Sequence, residues 1–332
     1  MSNASFLVFG AGAWGTALSI QLNKSGNEVF LSSFDQENLS KIASTRRNEK
    51  YLSGINLSDE IQVTGFTEDM LDKVDCVVIC VKSPYFTKAL SLLSHASPSF
   101  KVLWATKGFD TQSGALLSEI VSQHYGMAIE HGVLSGPTFA EELALSKPTA
   151  ITLATNTIND PSRLASKMSN ENLRVYISAD PIGVQLGGIL KNIVAIASGI
   201  SDAMEMGANA RAALITRGAE EMKALGTSMG ANESTFSGLS GIGDLVLSST
   251  DDQSRNRQLG IHIGRGGNLD SFREEHNGTP EGVHAVSALV NNGIVNDDDF
   301  PITSRVYKIL FEGLSAKEAG IELMNRPLRF EN

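Results

Sequence analysis

The sequence predicts an α/β half, built on a mainly parallel sheet covered by helices, followed by an all-helical half. Three observations carry this. Short apolar runs alternate with amphipathic segments as far as about residue 180. Beyond that point strand-like runs vanish and long helical stretches replace them. A glycine turn, Gly10-Ala11-Gly12-Ala13-Trp14-Gly15, ends the first apolar run and opens a helical pattern.

SFLVFG (5–10) and EVFLSSF (28–34) are the first strand candidates, with a helix between them. CVVICV (76–81), KVLWAT (101–106), GVLSG (132–136), TAITLAT (149–155) and LRVYIS (173–178) continue the series, separated by segments such as FTKALSLLSHA and GALLSEIVSQHYG. Such continuous apolar runs suit strands buried on both faces, and the edge strands are free to run antiparallel. The helical stretches are PIGVQLGGILKNIVAIASGISDAMEM, ARAALITRGAEEMKALGTSM, HAVSALVNNGI and ITSRVYKILFEG. The boundary is placed near Asp180-Pro181, where the proline can open a helix, giving domains 1–180 and 181–332. The polar stretch REEHNGTPEG (273–282) reads as a surface loop. Residues 182–201 imitate a membrane span, but Lys191 in the middle costs about 2.5–3.5 kcal/mol in lipid, so a buried core helix is expected.

Composition excludes several classes. The 332 residues suit two domains. Lys and Arg total 27 against 37 Asp and Glu, a net charge of −10, so there is no basic footprint for nucleic acid and no attraction to an anionic membrane. With 42% hydrophobic and 19% charged residues, the chain is too apolar to be disordered. Cys76 and Cys80 are four residues apart on one strand, about 13 Å, too far for a disulfide. Buried, reduced thiols are expected, consistent with a cytoplasmic protein. The first residues carry no basic region before an apolar stretch and do not read as a signal peptide.

The glycine turn carries the first chemistry. Gly10 permits the tight turn, Gly12 lets a diphosphate approach the backbone, and Gly15 lets the helix pack close, so a dinucleotide is expected on the helix N-terminus. The second strand ends in Ser32-Ser33-Phe34-Asp35 with no acid at Ser32, where an NAD-specific site would place one. Arg46 and Arg47 read either as partners for a 2′-phosphate or as solvated charges. Lys107 lies just past a strand's carboxyl end, and SGPTFAEE (135–142), with Thr138, follows another; together they suggest one cleft. Lys191 sits in an apolar helix with little polar face to reach, which favours a functional lysine whose pKa burial lowers. After GLSGIG, Asp244 starts an apolar run, and Ser254-Arg255-Asn256 follows either as a phosphate-binding cluster or as an ordinary helix cap. The histidines form no metal-ligand pattern, and no nucleophile elbow is present, so neither a metal nor acyl chemistry is expected.

Taken in order, GAGAWGTAL, NEKYLSG (48–54), ATKGFD, SGPTFAEE, LKN (190–192), GIGDL, Ser254-Arg255-Asn256, PEGV (280–283) and RPL (326–328) resemble the bacterial NAD(P)-dependent glycerol-3-phosphate dehydrogenases. The resemblance runs from Gly10 to Leu328. It implies a Rossmann-like N-terminal domain, an all-α C-terminal domain, and reversible reduction of dihydroxyacetone phosphate to sn-glycerol 3-phosphate with NAD(H) or NADP(H), feeding phospholipid synthesis. It also implies a homodimer and no membrane insertion. By resemblance Lys191 is the catalytic acid/base, assisted by Lys107 and Asp244. Substrate would be held by Lys107, Gly136, Thr138, Lys191, Asp244, Ser254, Arg255 and Asn256. Cofactor would meet the Gly10–Gly15 turn with Ala13 and Trp14, then Phe34, Lys107, Ala140, Arg255, Thr279 and Glu281.

Two departures from the family pattern stand out. Ser32-Ser33-Phe34 replaces a Trp-Gly-Arg or Trp-Gly-His run, removing a cation from the adenosine ribose. Ala13 replaces Ser or Asn, leaving only the backbone N–H for the phosphates. The rival readings are a 3-hydroxyacid or 6-phosphogluconate-type dehydrogenase and, in another class, a non-catalytic dinucleotide-binding sensor.

Overall fold

The structure is a computed structural model that describes residues 3–93, 99–126, 129–276 and 278–327. Of the sequence readings, Met1-Ser2, the end of FTKALSLLSHA from Ser94 on, Asn277 and Leu328 lie outside the described residues. The strands are β1 (Ser5–Phe9), β2 (Glu28–Ser32), β3 (Arg47–Asn48), β4 (Leu52–Asn56), β5 (Gln62–Val63), β6 (Cys76–Ile79), β7 (Lys101–Trp104), β8 (His131–Ser135), β9 (Thr149–Ala154) and β10 (Leu173–Ser178). Helices α1 (Ala13–Lys24), α2 (Gln36–Thr45), α3 (Phe86–Leu92), α4 (Leu117–Tyr125), α5 (Ala140–Ala144) and α6 (Pro161–Met168) accompany them.

One eight-stranded sheet runs β10-β9-β8-β7-β6-β1-β2-β5, and β3 and β4 form a separate hairpin. The strands from β8 to β5 are mutually parallel. β8 meets β9 antiparallel, so β9 and β10 form an edge pair running the opposite way. The apolar runs of the inner strands are buried on both faces, whereas the edge strand β10 exposes Arg174, Tyr176 and Ile177. In β1, Phe6 and Val8 join the core beneath α1, α2, α5 and α6, while Leu7 and Phe9 join the core beneath α3 and α4. The two-residue strands β3 and β5 and the hairpin partner β4 had no apolar run to announce them. Cys76 is buried and Cys80 half-buried; both thiols are free, and burial raises the pKa of both.

The helical half holds α7 (Pro181–Ala203), α8 (Gly207–Ser228), α9 (Asp244–Thr250), α10 (Arg255–Gly264), α11 (Leu269–His276), α12 (Glu281–Asn291), α13 (Pro301–Phe311) and α14 (Ala316–Met324). α7 starts at Pro181 and is capped by Asp180, whose carboxylate accepts from Gly183 N at 2.9 Å. It is long and apolar enough to cross a membrane by length and composition, but 89% of its apolar window is buried in the protein, as the core helix of this half. Glycines set its contacts. A Cβ on Gly199 would stand 2.1 Å from the Arg257 carbonyl oxygen, and one on Gly260 2.0 Å from that of Ile196, so α7 and α10 cross backbone to backbone. The loop expected over 273–282 is corrected in part. Residues 273–276 are the last turn of α11, whose buried residues are Leu269 and Phe272, and their charged, exposed character hid the helix; at the other end Glu281 and the buried Gly282 open α12.

Candidate active site

Because β1, β6, β7 and β8 are parallel neighbours, the segments that follow them emerge on one edge. β1 is followed by the glycine turn, β7 by Lys107 and β8 by Gly136-Pro137-Thr138. Gly10 has φ +125° and lies so close to the next strand that a Cβ would meet the Cys80 carbonyl oxygen at 2.5 Å; on Gly15 a Cβ would meet the Gly10 carbonyl oxygen at 2.0 Å. Above Gly12 nothing lies within 4 Å, and no side chain caps α1 there. The first N–H groups of α1, at Ala13 and Trp14, have no intrahelical partner and no side-chain cap, which fits the diphosphate of a dinucleotide. Trp14 Nε1 donates to Thr138 Oγ1 at 3.1 Å, tying this turn to the one after β8. Ala140 opens α5 beside it.

The adenosine end lies past β2. Ser32 is fully buried, and its backbone carbonyl accepts from Gly10 N at 2.8 Å. The Phe34 ring meets Phe9 edge-on at 4.9 Å, with Lys88 Nζ 4.9 Å from its centroid. Lys50 is paired with Asp35 at 2.7 Å. Arg46 is spent on the carbonyls of Ser58 and Ile61, and Arg47 Nε donates to Asn56 Oδ1 at 2.7 Å. Of the two readings left open for these arginines, the structure gives both protein partners.

The centre of the cleft is a buried carboxylate between two ammonium groups. Asp244, only 1% exposed at the start of α9, accepts from Lys191 Nζ on Oδ1 at 2.5 Å and from Lys107 Nζ on Oδ2 at 2.6 Å. Lys191 Nζ also donates to Ser248 Oγ at 2.6 Å, and Lys107 Nζ reaches the Gly136 carbonyl at 3.3 Å. Burial pushes Lys191 down to about 8; Asp244 opposes that shift and Lys107 adds to it. Burial would raise Asp244, but the two lysines outweigh it and hold the carboxyl below its ordinary value. The trio carries one surplus positive charge at the cleft floor. Each ammonium has three N–H donors and spends two, leaving one on each lysine for a ligand. Ser248 was not singled out in the sequence; its spacing of four from Asp244 on a helix was the available signal.

The third group opens α10. Ser254 caps it, accepting from Arg257 N. Asn256 is buried with both ends engaged: Nδ2 donates to Asn192 Oδ1 and Oδ1 accepts from Gly282 N, each at 2.9 Å, which locks α7, α10 and α12 together. Arg255 is half-buried and donates to the carbonyls of His276 and Gly278 at 3.3 and 3.2 Å. Thr279 Oγ1 accepts from Arg273 Nε at 3.0 Å. Glu281 accepts from Ser83 N at 3.1 Å and Ser83 Oγ at 2.6 Å, joining the loop after β6 to the helical half.

Comparison with known proteins matches residues 5–160 to the NAD-dependent glycerol-3-phosphate dehydrogenase N-terminus and residues 180–320 to the C-terminus of the same family. Glycerol-3-phosphate dehydrogenase (NAD(P)+) of Thioalkalivibrio sulfidiphilus is 42% identical over 327 residues, covering 98% of each chain. The enzyme of the same name from Legionella pneumophila is 40% identical over 331 residues, covering 100% of each. The crystal structure of glycerol-3-phosphate dehydrogenase from Coxiella burnetii superposes with a TM-score of 0.91 at 34% identity, covering 98% of this chain and 99% of that one.

Proposed function

Since the chain belongs to the NAD-dependent glycerol-3-phosphate dehydrogenase family, we propose that Lys191, Asp244 and Lys107 carry that family's reaction here. The chain interconverts dihydroxyacetone phosphate and sn-glycerol 3-phosphate with NAD(H) or NADP(H). The observation that supports the residue assignment is the buried Lys107–Asp244–Lys191 bridge with its surplus positive charge. When bound, the nicotinamide supplies the hydride. Lys191 stabilises the oxyanion that develops on the ketone and delivers its Nζ proton to it; in the reverse direction the neutral amine takes the proton back. Asp244 keeps that ammonium charged and aimed. Lys107 and the Gly136-Thr138 turn hold the substrate against the cofactor. Ser254, Arg255 and the N-terminus of α10 hold the phosphate, which fixes the carbonyl in place. Asn256 keeps α10 registered on α7 and has one Nδ2–H left to join Ser254 and Arg255 on the substrate. On the cofactor side stand the Gly10–Gly15 turn, Phe34, Ala140, Arg255, Thr279 and Glu281. The division into a dinucleotide half at 1–180 and a substrate half at 181–332 belongs to the same reading. So do a homodimer and supply of phospholipid synthesis, both supported by the family resemblance, and a cytoplasmic location, supported by the free thiols of Cys76 and Cys80.

The direct test is oxidation of NADH and of NADPH, side by side, with and without dihydroxyacetone phosphate. Both cofactors should be oxidised only when the phosphorylated ketone is present; no ketone-dependent oxidation of either would end the reading. NADH should serve at least as well as NADPH, because Lys50 is neutralised by Asp35 and Arg46 and Arg47 are held by protein partners. A preference for NADPH above about tenfold, or 1.4 kcal/mol, would instead place Lys88 on the 2′-phosphate.

Arg255→Lys keeps the charge but loses the planar fork that grips phosphate. It should lower kcat/KM for dihydroxyacetone phosphate, and Arg255→Ala should lower it further, by about 10- to 100-fold. The Ala variant should also lose most of its preference for dihydroxyacetone phosphate over unphosphorylated dihydroxyacetone. Unchanged constants for substrate and cofactor would mark Arg255 as an ordinary helix-end charge.

A further inference from the structure

Lys82 takes no part in the chemistry above, yet it occupies a telling place. It follows β6, and β6 and β1 are the neighbours at which strand order reverses: β2 and β5 lie to one side, β7 to β10 to the other. Open α/β sheets bind ligands in the crevice outside such a point. The two residues before Lys82 pack on the glycine turn, since a Cβ on Gly10 would meet the Cys80 carbonyl oxygen at 2.5 Å and Val81 Cγ1 at 3.2 Å. The Lys82 side chain crosses towards the helical half, where its Nζ lies 3.3 Å from the position a Cβ on Gly278 would take.

Arg255 approaches the same segment, donating to the carbonyls of His276 and Gly278. Glu281, the nearby acid, is turned to Ser83 through both carboxylate oxygens. Among the described residues neither Lys82 nor Arg255 makes an ion pair. Lys82 is exposed and Arg255 half-buried; the protein around them still lowers the pKa of each, and the Arg255 charge lowers that of Lys82 further, with Glu281 opposing in both cases. Two like charges in that position cost free energy until an anion stands between them.

We propose that Lys82 is a cofactor-binding residue that, with Arg255, clamps the diphosphate of the dinucleotide at the mouth between the glycine turn and residues 278–281. This rests on the dinucleotide-dependent reading above. Phosphate is the chemistry the two cations select, and it has two sources: the cofactor diphosphate and the phosphomonoester of the substrate. The position of Lys82 directly after Cys80 and Val81, which pack on the glycine turn, favours the cofactor.

Titration of wild-type, Lys82→Gln and Lys82→Arg chains with NADH and with ADP-ribose, which keeps the diphosphate but lacks nicotinamide, tests this without turnover. Lys82→Gln should weaken both ligands about three- to tenfold and flatten the salt dependence of binding. Lys82→Arg should retain most of the affinity, and KM for dihydroxyacetone phosphate at saturating cofactor should not move. Unchanged dissociation constants for both ligands overturn the proposal. A rise confined to the KM of dihydroxyacetone phosphate also overturns it, by assigning the pair to the substrate phosphate. A wild-type chain that binds ADP-ribose through Lys82 but does not reduce dihydroxyacetone phosphate would support the clamp while ending the proposed function.

Discussion

Lys191→Ala is expected to lower turnover by about 10²–10⁴-fold, the range of a positioned general acid, while NADH binding stays near that of the wild-type chain. The amine is 8% exposed on the core helix, and its partners there are Asp244 and Ser248. Lys191→Met, which keeps the bulk of the stem, should lose turnover equally and so separate chemistry from packing. Burial holds this amine at about 8, with Asp244 pulling the other way, and that fixes the sign of the pH dependence. Ketone reduction needs the ammonium and should fall as pH rises through about 8. Alcohol oxidation needs the neutral amine and should rise over the same window. The alanine variant should show neither limb in its residual rate. Near-wild-type turnover in either variant would remove Lys191 from the reaction.

Asp244→Asn should damage both fold and activity. The native carboxylate is 1% exposed and bridges two ammonium groups. An amide of the same shape leaves Lys107 and Lys191 facing each other without an anion. Removing one partner of a buried ion pair typically costs about 3–5 kcal/mol, which for a chain of this size lowers the melting temperature by about 4–7 °C. The Lys191 amine, losing the charge that supports its proton, should titrate below its native value, and reduction at neutral pH should fall by at least about a hundredfold. Acid reduces the difference. The native Asp244 pKa lies below that of the unfolded chain, so its contribution is complete above the ordinary carboxylate range and is lost as pH falls through the lower folded value. Wild-type and variant melting temperatures should converge at that end. A variant equal to wild type in both melting temperature and rate would show that the bridge contributes to neither.

What could be read from the chain depended on how local the physics was. The main strands were legible because both faces are buried, which leaves continuous apolar runs such as Val77-Val78-Ile79. β3 and β5 were not, since two residues carry no period, and α11 was not, because its buried residues are only Leu269 and Phe272. Lys191 stood out as a charge in an apolar helix. That Asp244 touches both lysines could not be read, because the contacts join residues 53 and 137 positions apart. Asn256 read as a ligand donor; its amide also bonds Asn192 and Gly282, a packing contact the sequence did not announce, and keeps one Nδ2–H besides. Lys82 carried no local signal; its meaning comes from the strand order around it.

The bare crossing of α7 and α10 acts as a molecular ruler. α7 carries the lysine assigned to the carbonyl end of the substrate, and α10 begins with the residues assigned to its phosphate end. Gly199 and Gly260 let the two backbones touch, so the span between those ends is set by main chain against main chain, with no exchangeable side chain as spacer. Any side chain there would push α10 outward and lengthen the gap. On the proposed roles, the chain length of the phosphorylated ketone that fits is written into two positions that have no side chain and never touch it.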